Sequence, residues 1–153
     1  MSNDVERLKL ADALTHLLEE CRMVLPGVQA LFGFQLIATF NAGFDAKLSP
    51  FEQKVHLVAL ACVAVAGALI MTPAALHRGA REASERFIQV SGRLLLAAML
   101  SLMAGICIDF YLIAGIILRH GPLAGALSLA LVGFIGFFWF VFPRIYRRRH
   151  GQR

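Results

Sequence analysis

Charge is in short supply along this chain. Only 16% of its 153 residues are Asp, Glu, Lys or Arg, against roughly 25% in ordinary soluble domains, so water is not the main surrounding for most of it. Cysteine is scarce too: Cys21, Cys62 and Cys107 stand singly, with no metal or redox spacing between any two, and read as small apolar fillers. The marks of catalysis are also missing. There is no activated Ser, Cys or Thr motif, no Gly-rich phosphate loop and no pair of intramembrane aspartates, so an enzyme is not expected. No internal repeat, low-complexity stretch or domain boundary interrupts the sequence. The N-terminus lacks a basic start followed by an apolar core, so no cleavable signal peptide is expected.

What remains is apolar, at 58% of residues. With the charges used as fences, four runs emerge, at residues 23–41, 55–76, 94–118 and 122–142. A bilayer core of ~30 Å needs about 20 helical residues, and each run is close to or above that length. The fold expected is all-α: an integral membrane four-helix bundle forming one domain over residues 1–153. Ahead of it an amphipathic helix is expected over residues 4–22, with Leu10, Leu14, Leu17, Leu18 and Cys21 recurring on one face. Pro26 removes a backbone donor and crowds the Arg22 carbonyl, so the helix is expected to bend or restart there. "SPFEQ" is the clearest helix start, with Ser49 as cap, Pro50 in the first turn and Glu52 reaching back. Pro73 is expected to kink the far end of that helix. "RHGP" breaks the chain after the third run, and Trp139 and Tyr146 suit an interfacial aromatic belt. The pairs Arg81 with Glu85 and Glu82 with Arg86 suggest a solvated helical extension before the third run.

The formal charge of +5 is unevenly placed. With four spans, twelve of the fifteen basic residues share one side with both termini, and only Lys47, Lys54 and Arg119 lie on the other. The positive-inside rule then puts both termini in the cytoplasm. The tail at residues 144–153, with Arg144, Arg147, Arg148 and Arg149, is expected to anchor topology by touching anionic lipid at the cytoplasmic face, and no nucleic-acid partner is implied.

The segment "ECRMVLPGVQALFGFQL", together with "TPAALHRGAR" after the second run, resembles a family of small bacterial multi-span membrane proteins catalogued as a domain of unknown function. The matching positions are Glu20, Arg22, Gly27, Val28, Gln29, Leu31, Phe32, Phe34, Pro73, His77 and Arg78. The resemblance covers the first two spans and the loop after them. It implies a bacterial inner-membrane setting and no particular activity.

Asp109 is the outstanding candidate residue, an ionisable group inside a membrane-length run. Burying its charge at mid-bilayer costs about 2.5 kcal/mol or more, so it is expected to face the bundle, paired or protonated. Ser101, Gly105 and Asp109 fall four residues apart in turn, within an arc of ~80°, which marks a helix contact. At ~1.5 Å per residue, Asp109 lies ~24 Å past Arg93, Gln35 ~20 Å past Arg22 and Ser128 ~24 Å from Arg144, heights that allow one polar layer. A second cluster is expected at the inner interface, where Arg22, Gln29 and Gly33 share a stripe and Glu19 is within reach of Arg22. His56 and His120 fall near the outer ends of the second and third spans, and His16 and His77 near the inner surface. No histidine is therefore expected inside a span opposite a partner, and neither metal nor cofactor is expected.

Two functions compete on this evidence. The first is a non-enzymatic scaffold or accessory subunit that binds itself or another membrane protein, with Asp109, Gln35 and Ser128 fixing helix packing. The alternative is a small transporter or channel using Asp109 as a proton or cation site. A relay normally shows a second ionisable partner, and none is evident beside Asp109, which favours the first.

Overall fold

The computed structural model describes residues 2–79 and 85–150, with side chains for 12–76 and 86–146. Six helices occupy the described residues: α1 (Ser2–Thr39), α2 (Phe44–Lys47), α3 (Pro50–Gly79), α4 (Glu85–Leu118), α5 (Gly121–Gly136) and α6 (Phe142–His150), with one π-helical turn at Phe137–Val141. No strand occurs among the described residues. Four segments are long and apolar enough to cross a membrane: Asp12–Thr39, Pro50–Leu76, Arg86–Leu118 and Gly121–Tyr146. Each takes in most or all of one expected span and begins before it, because the helices start ahead of the apolar runs they carry.

The chain does not restart at Pro26. A single helix runs through it, joining the expected amphipathic segment to the first span. Proline removes only the bond to the Arg22 carbonyl, and burial on both sides of it, at Cys21 and Val28, keeps the flanking turns on one face. Among the described side chains of α1 the buried ones are Leu14, Cys21, Val28 and Gln35, each seven residues after the last. At the end of α1 the Thr39 hydroxyl donates to the Leu36 carbonyl at 2.6 Å, satisfying a group that the last helical turn leaves open. Pro73 is likewise passed within α3, which continues to Gly79. The Arg81–Glu85 and Glu82–Arg86 pairs lie outside the described residues.

Contacts divide the chain into two compact units. The first comprises Met1–Asn41 and Leu60–Leu102. Here α1 meets α3 closely: Val28 Cγ1 lies 3.7 Å from where a Cβ on Gly67 would stand. The Ser101 hydroxyl of α4 donates to the Cys62 carbonyl of α3 at 2.8 Å. Ala66, Ile70, Ser91 and Ala98 are buried in this unit. The small side chains among them, Ala66, Ser91 and Ala98, allow helix backbones to approach.

The second unit comprises Ala42–Ala59 and Met103–Arg153. It contains α2, the first turns of α3, the remainder of α4, and α5 and α6. The connection into α3 is heavily bonded. Ser49 N–H and its hydroxyl both donate to Glu52 Oε2 at 2.7 Å, Glu52 N–H returns a longer bond to the Ser49 hydroxyl, and Gln53 Nε2 donates to the Leu48 carbonyl at 3.1 Å. This is the capping box that "SPFEQ" encodes. After α4, Arg119 takes a left-handed conformation with φ 53°, and His120 is extended before α5 begins. Toward the C-terminus the π-helical turn is lined by rings, with Phe137 edge-on to Phe138 at 5.4 Å and Phe138 beside Phe134 at 4.8 Å. Many large apolar side chains face outward, Phe34, Ile37, Ile117, Leu129 and Phe134 among them. Hydrocarbon is the solvent for which such a surface carries no penalty.

Candidate functional site

The capping box fixes where α3 starts, and that start decides where His56 lies. Counting from Pro50, His56 is in the second turn of the helix, ~9 Å along its axis. Buried positions of α3 recur at alternating steps of three and four residues, through Ala59, Val63, Ala66, Ile70 and Pro73. His56 precedes Ala59 by three and continues the same seam, which explains why an imidazole so near a helix start is only 7% exposed. On α4 the buried residues Ala98, Leu102, Gly105 and Leu112 follow a similar seam, with Asp109 falling between the last two.

Within the second unit these two seams bring His56 Nδ1 to 2.9 Å from Asp109 Oδ1. The side chains retain 9% and 16% of their exposure, so both polar ends are largely withdrawn from the surroundings. Phe44 of α2 covers the imidazole, its ring centroid 5.5 Å from that of His56 in an edge-type arrangement. At this distance an imidazole N–H donates a charge-assisted hydrogen bond to a carboxylate oxygen. The pair has one form with a neutral imidazole and a carboxylate, and another with one more proton and no net charge. Taking up or releasing a proton is therefore the chemistry the arrangement offers.

Residues 3–143 match the model of a family of unknown function, DUF6328. The chain belongs to that family. The DUF6328 match takes in His56, Asp109 and nearly all of the four candidate spans, well beyond the first two spans on which the sequence resemblance rests. No curated protein and no solved structure matches the chain.

The expectation that no histidine lies inside a span opposite a partner is overturned in this DUF6328 protein by His56. Lys54 marks the edge of the apolar run, which makes His56 look interfacial, yet its side chain lies on the buried seam of α3 and faces Asp109. The seam itself was the available signal: the spacing of Ala66, Val63 and Ala59, continued by three residues, lands on His56.

The other expected site residues are distributed as follows. Ser101 and Asp109, on the predicted small-residue arc, both turn toward α3, the one reaching Cys62 and the other His56. Ser128 donates to the Cys107 carbonyl at 2.8 Å, tying α5 to α4 two residues from Asp109 along the chain. Gln35 is buried at 4% exposure and belongs to the first unit. Glu19, Arg22 and Gln29 are exposed, and Glu19 lies 3.8 Å from His16 Nδ1. Arg22 and Gln29 each follow a buried α1 position by one residue, which on a helix turns them ~100° off the packed face. Arg144 is exposed, while the side chains of Arg147, Arg148 and Arg149 lie outside the described residues. Among the described residues no group of three or more His, Cys, Asp or Glu side chains is placed to hold a metal.

Proposed function

We propose that this protein is a non-enzymatic, multi-pass protein of the bacterial inner membrane that takes up and releases a proton at the His56–Asp109 pair, acting as a small transporter or channel. The 2.9 Å contact between two largely buried ionisable side chains carries this reading. The scaffold reading drew its weight from the lack of a second ionisable group beside Asp109, and His56 is such a group. Neutral hydroxyls already fasten neighbouring helices, Ser101 to the Cys62 carbonyl and Ser128 to the Cys107 carbonyl. An ionisable pair adds what those bonds lack, a site whose charge changes with a proton. Ionisable residues within membrane spans are expensive and mark ion pathways and proton relays, which supports the same conclusion.

In this reading both termini are cytoplasmic, on the strength of the basic-residue imbalance, and the 40–49 connection faces outward. Arg144 and the tail arginines lie against anionic lipid, and a second copy of the chain or another membrane protein completes the path.

Proton flux into liposomes of anionic bacterial lipid, driven by a potassium diffusion potential and read with an internal pH dye, tests the proposal. Wild-type protein is expected to exceed empty vesicles, while Asp109→Asn and His56→Gln fall to the empty-vesicle rate with unchanged helicity. Wild-type flux equal to empty vesicles, or full flux in Asp109→Asn, overturns it. Loss of self-association in both variants without any wild-type flux returns the pair to a packing role.

A further inference from the structure

The His56–Asp109 pair has a neighbour that is neither ionisable nor part of a membrane-length run. Phe44 sits on α2, a single helical turn within the connection between α1 and α3, and is half-buried with its ring against the imidazole. We infer that Phe44 is the access-controlling residue of the site, an apolar plug between the pair and the water around the 40–49 connection.

Placement and anchoring support the assignment. Lys47 N–H to the Gly43 carbonyl at 3.0 Å, and Leu48 N–H to the Phe44 carbonyl at 3.1 Å, close the turn that carries the ring. Leu48 is buried at 9% exposure, and Gln53 Nε2 holds its carbonyl from α3. Four residues are thus pinned at their C-terminal end to the helix that bears His56, and the one large apolar side chain among them points at the imidazole. The charged members of the turn, Asp45 and Lys47, are exposed instead. An aromatic ring packed edge-on against an imidazole excludes water from that side without offering it a hydrogen bond, so from the side of the 40–49 connection protons reach the pair when the ring moves or water passes beside it. Replacing the ring by a methyl group removes that barrier.

The functional consequence rests on the proton-exchange reading, but the test does not. Diethylpyrocarbonate labelling of histidines in proteoliposomes, quantified residue by residue by mass spectrometry, reads the exposure of His56 whether or not the protein moves protons. His16, whose side chain is 70% exposed, is the internal reference. In the wild type His56 is expected to react far more slowly than His16. Phe44→Ala is expected to raise the His56 rate about tenfold, a barrier lowered by ~1.4 kcal/mol, with His16 unchanged. Phe44→Leu, which covers less of the ring, is expected to give a smaller but clear rise. A wild-type His56 rate in Phe44→Ala overturns the inference. Should Phe44→Ala lose helicity, the folded Phe44→Leu variant decides, and a wild-type rate there overturns it equally. Loss of flux in Asp109→Asn with no effect of Phe44 on labelling would leave the proton site standing and remove the plug.

Discussion

Breaking the His56–Asp109 pair from either side should cost more than an ordinary interhelical hydrogen bond, and the excess is measurable by a double-mutant cycle. His56→Ala leaves the Asp109 carboxylate, only 16% exposed, without the partner 2.9 Å away. Removing one member of a buried pair typically costs about 3–5 kcal/mol, and because this pair is not fully enclosed the lower end, about 3 kcal/mol, is the expected loss. Asp109→Ala leaves an imidazole that can remain neutral, so the loss is one charge-assisted bond, about 1.5–2 kcal/mol. The double variant removes both groups, the stranded carboxylate included, and should lose no more than His56→Ala alone, giving a coupling of at least about 1.5–2 kcal/mol. Ser101→Ala supplies the scale, since it deletes one neutral bond to the Cys62 carbonyl, and interhelical bonds of that kind average about 0.6 kcal/mol in membranes. The assay is reversible unfolding of purified protein in mixed micelles as the denaturing detergent fraction rises, followed by helical circular dichroism. Additive losses, or a coupling no larger than the Ser101→Ala effect, would refute the argument that these two side chains act as a charged pair.

Three further outcomes follow from local geometry. Arg119 holds a left-handed conformation that costs a non-glycine residue ~1 kcal/mol, so Arg119→Gly should raise stability by up to about that amount in the same unfolding assay, and Arg119→Val should lower it. Glu52→Ala removes both bonds to Ser49 and should cost about 1 kcal/mol, visible as faster amide exchange over the first turn of α3 with the rest of the helix unaffected. At Gly67 a methyl group meets Val28 Cγ1 at an ordinary 3.7 Å, so Gly67→Ala should be tolerated, whereas Gly67→Leu overpacks the α1–α3 contact and should cost about 1–3 kcal/mol of unfolding free energy.

The span count was legible because it depends on length and polarity alone, and four apolar runs became four membrane-length helices. Asp109 was legible as a candidate for the same reason, since a carboxylate inside such a run is conspicuous. His56 was not, because charge fences locate the edge of an apolar run and not which face of the helix a residue near that edge presents to its neighbours. Two facts present in the sequence had to be combined to see it: the capping box that begins α3 at Pro50, and the seam that repeats from Ile70 back to Ala59. The Ser128 expectation shows a different limit. Counting residues gives height in the membrane but not rotation about the helix axis, and a hydroxyl without water bonds the carbonyl it faces, here that of Cys107. At Pro26 the local rule foresaw a bend or a restart, and the helix does not restart, with Cys21 and Val28 buried on the same face either side of the missing bond.

The seven-residue spacing of Leu14, Cys21, Val28 and Gln35 also constrains how α1 must curve. A straight α-helix drifts by ~20° with each heptad, so three steps would rotate the buried line by ~60° away from whatever it touches. A left-handed winding of α1 about its neighbours, as in a strand of rope, is the geometry that cancels this drift over the ~32 Å the four residues span. Insertion of a single residue between Cys21 and Val28 would turn everything beyond it by ~100° and break the winding at the height of Pro26. Shortening or lengthening α1 by a whole heptad keeps the register to within ~20°.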